Sequence, residues 1–399
     1  MQAQSSGRIR FPSKLSRFSR LAAALALVTA APFAAAQNLP ANLPAERYVG
    51  KLEQVFAFRG AMPTGVTVTE TGRIFVNFPR WGDDVPFTVG ELRGNKVVPY
   101  PDAAINREDN PQGFLSVQSV VADGQGKVWI LDTAAPKFSS PAPGRARLVA
   151  VDLATNKVVK SIVFPSDVAL STTYVNDMRF DFRTGEAGTI YVTDSSVSGP
   201  GAIIVVDIAS GRAVRRLSGD ASTSVDKSFV PVVEGKTMMN RAADGKTSPF
   251  GVASDGIALS ADGKTLYFSP LSSRHLYAVP TQLLRDPAAT DAQIAAAVKD
   301  LGEKGASDGM EADADGAVYA SDYEHNGIRK RLPDGSWETI VHDPRALWPD
   351  TLSIGPDGYL YFTANQLHRM PGFNGGKDLR TKPYSLFRVK IGAKPAPTR

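Results

Sequence analysis

The sequence predicts an all-β chain closed into a six-bladed β-propeller. A pattern of polar residue, hydrophobic strand, glycine turn and second hydrophobic strand recurs six times. Its clearest copies are S-D-G-I-A-L-S-A-D-G-K-T-L-Y-F-S from Ser254 and S-D-G-M-E-A-D-A-D-G-A-V-Y-A-S-D from Ser307, with fainter ones from Pro63, Val117, Val175 and Pro349. Aligned, the copies place Thr64, Gln118, Asn176, Asp255, Asp308 and Asp350 at one position, and Gly72, Gly126, Gly263, Gly316 and Gly358 each eight residues later. Only the third copy is stretched. Intervals of 54, 58, 79, 53 and 42 residues leave room for a four-stranded blade each time. Repeats of this size cannot bury their own faces and gain a core only by stacking.

Taken in order, residues 1–36 carry five basic residues, no acid, and an apolar run from Leu21 to Ala36 that ends in three alanines. This predicts a Sec-type signal peptide cleaved after Ala36 and a secreted or periplasmic protein. The run is too short and alanine-rich for a good membrane span, and there is no lipidated cysteine, so no membrane anchor is expected. Residues 37–51 read as a loose N-terminal segment, 52–392 as the propeller and 393–399 as a loose C-terminal tail. Lys127–Leu131, Thr189–Thr193, Ala202–Ile208, Leu266–Ser269 and Tyr359–Thr363 are rich in β-branched and aromatic residues and read as strands. The strand Leu52–Phe58 is expected to pair with Ser385–Lys390 and close the ring, removing exposed edges. The long interval holds an insertion, Gly219–Val252, read as a surface excursion or lid. Thr290–Lys299 reads as a short helix capped by Thr or Asp.

The charge balance argues against two partner classes. Removing the five leader charges from 45 basic residues leaves 40 against 40 acidic ones, so no basic footprint for nucleic acid or an anionic membrane is expected. The absence of cysteine excludes disulfides, thiolate catalysis and cysteine-ligated metals. No G-x-S-x-G elbow, zinc-type histidine spacing or dinucleotide loop is present.

In a propeller the inner strand of each blade lines the central channel, so six equivalent residues make a ring at one mouth. Asp255, Asp308 and Asp350 would converge there beside Asn176, Gln118 and Thr64. Three such carboxylates raise one another's pKa unless a cation or bound donors compensate them. Oxygen-only ligands suit a divalent cation, calcium ahead of magnesium, with Asn176, Asp255, Asp308 and Asp350 as the metal set. The competing reading is that Asp-Gly before a strand merely caps a turn. Loops after each second strand fall on the same face and offer a pocket wall: Arg80, Asp132, Asp194, Arg274, Asp322, His325 and Asn365 around a ligand, with Trp81 or Tyr323 as an apolar surface. Each alone also fits an ordinary loop residue.

Four segments, F-V-N-F-P-R-W (Phe75 to Trp81), K-V-W-I-L-D-T (Lys127 to Thr133), L-Y-F-S-P-L-S-S-R-H-L-Y-A-V (Leu266 to Val279) and L-W-P-D-T (Leu347 to Thr351), resemble the yellow/major royal jelly protein family. The resemblance implies a six-bladed propeller, and insect members of that family bind small amines or sterols in or near the channel or are linked to catechol-melanin chemistry. A more distant resemblance is to the gluconolactonase/regucalcin group, which holds a divalent metal at the channel mouth and opens lactones. Val175 to Asp181 and S-D-G-M-E-A-D from Ser307 resemble its motifs, which implies Asn176 and Asp308 as ligands, whereas the group's first-blade Glu is replaced by the Thr64 region.

These observations leave two main functions open. One is a cation-dependent, lactonase-like hydrolase or isomerase acting on small oxygenated compounds, with Asp308 or Asp255 as general base. The other is a non-catalytic binding protein that captures a small molecule in the same mouth. An interaction scaffold that uses only the rim is a third. Oligomeric state is not legible.

Overall fold

A computed structural model describes residues 46–399, in which Arg47–Arg399 form one compact unit. The expected signal peptide lies outside the described residues. Six four-stranded antiparallel sheets follow one another along the chain. The first blade runs from Val66–Val68 to Lys96–Pro99, the second from Val117–Ala122 to Lys157–Val163, and the third from Val175–Asp181 to Ala213–Arg216. The fourth runs from Ser254–Leu259 to Lys299–Glu303 and the fifth from Met310–Ala312 to Trp337–His342. The sixth takes three strands from Pro349–Ile354 onward, and Glu53–Phe58 completes it by pairing with Tyr384–Lys390. The expected strand pair thus closes the ring, with Glu53–Phe58 as the outermost strand of the sixth blade. The solved structures described below share this propeller fold.

The core is divided between the blade interfaces. Trp129, Leu148, Phe180 and Ile190 fill the second–third interface, and Tyr191, Ile203, Phe268 and Leu266 the third–fourth. Phe75, Val120 and Ile130 join the first and second blades, while Ile328, Leu352 and Phe362 join the fifth and sixth. Because a blade is covered on both faces, its middle strands are buried along their length, as in Thr189–Asp194. That explains why they read as near-continuous apolar runs rather than alternating ones. Each fully buried large side chain contributes about 1.5–3 kcal/mol.

The repeat glycines sit at the mouth opposite the carboxylate ring, which is called the lower mouth below. Gly72, Gly126, Gly263, Gly316 and Gly358 all have positive φ, between 72° and 89°. A side chain is disfavoured in that conformation, so the same position of five repeats carries glycine. The helix forms as Asp291–Ala297 with Thr290 and Gln293 in a capping box. The insertion carries two small hairpins, pairing Val232–Val233 with Lys236–Thr237 and Met239–Arg241 with Thr247–Pro249.

The expectation of a loose C-terminal tail is corrected, and residues 37–45 of the expected loose N-terminal segment lie outside the described residues. Val49 exchanges two backbone hydrogen bonds with His342, each 3.0 Å, which ties the described end of the 37–51 segment to the fifth blade. Residues 393–399 are bound across the lower mouth. There Lys394 accepts from Ala314 N at 2.9 Å, Ala396 donates to Ala312 O at 3.1 Å, and Thr398 accepts from Phe182 N at 2.7 Å. No helix among the described residues is long and apolar enough to cross a membrane.

Candidate functional site

The ring positions lie where each inner strand begins, and in four blades that start is a bulge. Register with the second strand shifts between Val117 and Ser119, Val175 and Met178, Ser254 and Gly256, and Pro349 and Leu352. The extra residue in each case includes Gln118, Asn176, Asp255 or Asp350. A bulge leaves one residue unpaired and re-aims its side chain, which here turns it toward the channel. Asp308 occupies the same place just before the strand of the fifth blade, its N–H donating to Ser321 Oγ at 2.9 Å.

Gln118, Asn176, Asp255, Asp308 and Asp350 thereby reach one cavity of about 670 Å³ at the upper mouth. Thr64, the sixth position, is buried behind it and takes a 2.8 Å bond from Asn77 Nδ2. The turn-cap reading does not hold for Asp255 and Asp308, because no turn N–H is bonded to either. Asp255 Oδ2 accepts from Ser195 Oγ at 2.9 Å and Asp308 Oδ2 from Trp348 Nε1 at 2.7 Å. Asp350 Oδ2 accepts from Asn365 Nδ2 at 2.6 Å. The glycine after each of the first two aspartates serves close approach instead. A Cβ on Gly256 would lie 2.5 Å from Asp308 O, and one on Gly309 would lie 2.3 Å from Asp350 O. Each Asp-Gly pair therefore lets the next blade's ring residue come against it.

The electrostatics follow from burial. Withdrawal from water raises the pKa of all three carboxyls, with Asp308 at about 6, and the neighbouring Asp308 charge adds to the rise at Asp255 and Asp350. Asp255 and Asp308 act on each other in opposite senses: proximity to Asp308 adds to the rise at Asp255, and proximity to Asp255 holds back the rise at Asp308. Lys137 is the only basic side chain among the described residues of the cavity wall. Behind the floor, Lys304 is fully buried with Nζ 3.0 Å from Gly305 O. Burial brings its ammonium down to about 7 against the pull of Asp322 and Asp255.

Above this polar floor the wall is aromatic. Trp81 stacks on Phe138 at 4.8 Å, and its Nε1 donates to Tyr174 Oη at 2.8 Å, which donates on to Gln118 Oε1 at 3.0 Å. Phe250, from the insertion, meets Phe373 edge-on at 5.6 Å, and Asn240, Ser248 and Val252 join it as a roof. Trp348 lies below, stacked on Tyr323 at 4.0 Å. Lys137, Phe138 and Trp348 all have φ near +55°. Left-handed backbone at bulky residues costs about 1–3 kcal/mol and clusters at functional sites.

The loop expectations divide. Trp81 and Gln118 line the cavity, whereas Arg80, Asp194, Arg274, His325 and Asn365 do not. Backbone carbonyls absorb Arg80, which donates to Leu115, Val85 and Asn106 at 3.1, 2.6 and 3.2 Å. Asp194 staples the incoming loop through Tyr174 N at 2.8 Å and pairs with Arg215 at 2.7 Å, and Asp132 likewise takes Leu115, Ser116 and Ala134 N–H groups. Arg274 is held by Glu324 at 2.6 Å over the Phe229 ring. His325 points outward, 71% exposed, onto Asp322. Asn365 stands behind the floor, orienting Asp350. Sequence reasoning missed Tyr174, Phe138, Phe250 and Trp348. Tyr174 and Trp348 immediately precede a repeat copy, which was the available signal.

The all-oxygen set suits a hard cation in kind, since Asn176's side chain has no hydrogen bond to the described protein and Asp255 and Asp308 each retain an oxygen, whereas Asp350 commits one to Asn365 Nδ2 and the other to Thr351 Oγ1. It does not suit one in arrangement. Among the described residues no three acidic or histidine side chains converge as a metal cage.

Comparison with known proteins adds lineage to this geometry. The family model described as Major royal jelly protein matches residues 115–385. Major royal jelly protein 1 of Apis mellifera is 26% identical over 226 residues, 53% of this chain and 49% of that one. Protein yellow of Drosophila erecta is 26% identical over 254 residues, 58% of this chain and 43% of that one. The chain thus spans about half the length of the curated relatives it matches. Among solved structures, a luciferin-regenerating enzyme superposes with TM-score 0.54 at 12% identity over 87% of this chain and 97% of that one. A putative gluconolactonase does so with TM-score 0.53 at 13% identity, over 89% and 96%. At such identity the likeness is one of fold.

Proposed function

We infer that this chain, which belongs to the major royal jelly protein family, holds a small molecule in the upper mouth of its propeller. The ligand presents a protonated amine or several hydroxyl donors to Asp255, Asp308 and Asp350, and lays a flat apolar body against Trp81, Phe138, Tyr174 and Phe250. One observation carries this reading: three buried carboxylates from three blades share one cavity with five aromatic side chains, Trp81, Phe138, Tyr174, Phe250 and Phe373. Their mutual repulsion is relieved by a cationic or donor-rich head, while the wall removes apolar surface from water. The reading is of a binding protein, and the predicted leader makes an exported compartment part of the proposal.

Calorimetry with tyramine and with 4-ethylphenol, which keeps the ring and lacks the amine, tests it. Saturable tyramine binding, at least tenfold tighter than the neutral analogue and lost in Asp308→Asn, is expected. Equal affinity for both, or binding indifferent to Asp308, overturns it.

A second reading is a calcium- or magnesium-dependent lactonase-like hydrolase or isomerase: the uncommitted Asn176 amide in the same cavity as Asp255 and Asp308 speaks for it, and the lack of a carboxylate cage among the described residues speaks against it. In that reading Asp308, raised to about 6 by burial, is the general base. Lactone turnover that disappears on chelation and in Asp308→Asn would favour it over the binding protein.

A further inference from the structure

The lower mouth holds a second cavity, about 440 Å³, and residues 394–398 form its cover. These residues, Lys-Pro-Ala-Pro-Thr, run extended with Ala396 and Thr398 turned inward and Lys394, Pro395 and Pro397 exposed. From Pro395 onward this is the period-two alternation of a strand lying on a surface. Asp313 pairs with Pro395 as an antiparallel bridge. Besides the three backbone bonds to Ala312, Ala314 and Phe182, Thr398 Oγ1 donates to Asp123 O at 2.8 Å and the Arg183 guanidinium donates to Pro397 O. The segment thus engages the second, third and fifth blades.

We propose that the lower mouth is a peptide-recognition site for an extended proline-alternating segment, filled in cis by residues 394–398. Its chemistry is specific. Every backbone carbonyl and N–H named above is met by a fixed partner, so recognition is mostly through the main chain. Proline at 395 and 397 removes N–H groups at exposed positions and restricts the free chain, lowering the entropy lost on docking. The inward positions carry small side chains: Ala396 packs at the fourth–fifth blade interface, and Thr398 lies against Gly124, where an added Cβ would sit 2.9 Å from Thr398 Oγ1. Inside the cover, Arg179 is buried, ion-paired with Asp177 at 2.8 Å and Glu311 at 3.6 Å, and its Nε has no hydrogen-bond partner. The segment therefore lies over a charged waist rather than an apolar core.

The test compares the 46–399 protein with a form ending at Gly392, using hydrogen exchange at Phe182 and Ala314, whose amides the segment accepts. Truncation is expected to leave the circular dichroism unchanged and to speed exchange at both amides about tenfold or more. Synthetic Ala-Lys-Pro-Ala-Pro-Thr-Arg should restore protection saturably, and the same residues scrambled should not. Unchanged exchange on truncation, or no restoration by the peptide, overturns the proposal. In the untruncated protein the two amides should open below the global unfolding free energy. If they exchange only with core amides such as Ile190, or if truncation unfolds the ring, the segment is an integral closing element and the proposal fails. Protection that depends on protein concentration would place the segment in a second copy and overturn the assignment in cis.

Discussion

The two mouths of this channel are made from the same six hairpins and are built for different ends. At the lower mouth each repeat closes in a short glycine turn, and the opening is covered by a segment bonded along its main chain. At the upper mouth the inner strands begin in bulges that aim polar side chains at a cavity, and bulky residues hold left-handed backbone around it. Strain and buried like charge are thus gathered at one end. Such costs persist where the surrounding structure over-determines them, and here the packed blade interfaces do so. The comparison separates positions kept for the turn from positions kept for the site.

Glycine substitutions give the largest expected contrast. Gly309→Ala sets a Cβ 2.3 Å from Asp350 O, against backbone that cannot yield, and should destabilise by about 3 kcal/mol or more while disordering the ring. Gly316→Ala, at φ 89° in the opposite turn with its nearest neighbour 3.8 Å away, should cost only about 1–2 kcal/mol. Denaturant melts of the two variants measure the difference, and equal costs would break the distinction.

Next in size is the penalty of the buried charge. The pKa of Asp308 is raised from 3.8 to about 6, so the folded state holds the proton more tightly than the unfolded. The resulting stability is present below about pH 4 and is lost as pH rises through 6. Asp308→Asn keeps an acceptor for Trp348 and cannot ionise. It should be more stable than wild type by about 3 kcal/mol at pH 8 and nearly equal at pH 4. Thermal melts across that window check the sign; a variant destabilised at pH 8 would mean that Asp308 is already compensated.

The roof should give the smallest effect. Glu234 on the insertion hairpin accepts His368 Nε2 at 2.8 Å and Arg369 Nε at 2.9 Å, and the Arg369 fork holds its pKa near 2. Its contribution is therefore full above pH 4.5 and lost only as pH falls toward 2. Glu234→Gln should cost about 1 kcal/mol or less, because the pair is partly exposed. Trypsin should nonetheless cut faster at Lys236, Arg241 and Lys246, and unchanged cleavage would show that the hairpins are held elsewhere.

The contrast between the mouths also explains what could be read from the sequence. Glycine eight residues after five of the six ring positions marks a backbone requirement that no other residue meets cheaply, so the repeat and blade count were legible. The ring residues were legible by the same alignment. The wall was not, because Phe138 and Phe250 come from loops between repeats, outside any register. Arg80, Asp194 and Arg274 misled because charged residues beside a mouth look alike whether they face a ligand or satisfy loop carbonyls and amides, as these do. The tail was read as loose since its prolines and polar residues carry no apolar pattern, while its docking uses main-chain groups that no composition reveals.

The most direct test of the upper-mouth account is a carbon NMR titration of the aspartate carboxyls with and without saturating tyramine. The account predicts that Asp308 titrates near 6 in the free protein and falls by a unit or more when the amine is bound, because a cation favours the ionised form. An Asp308 titration that tyramine leaves unmoved would contradict it.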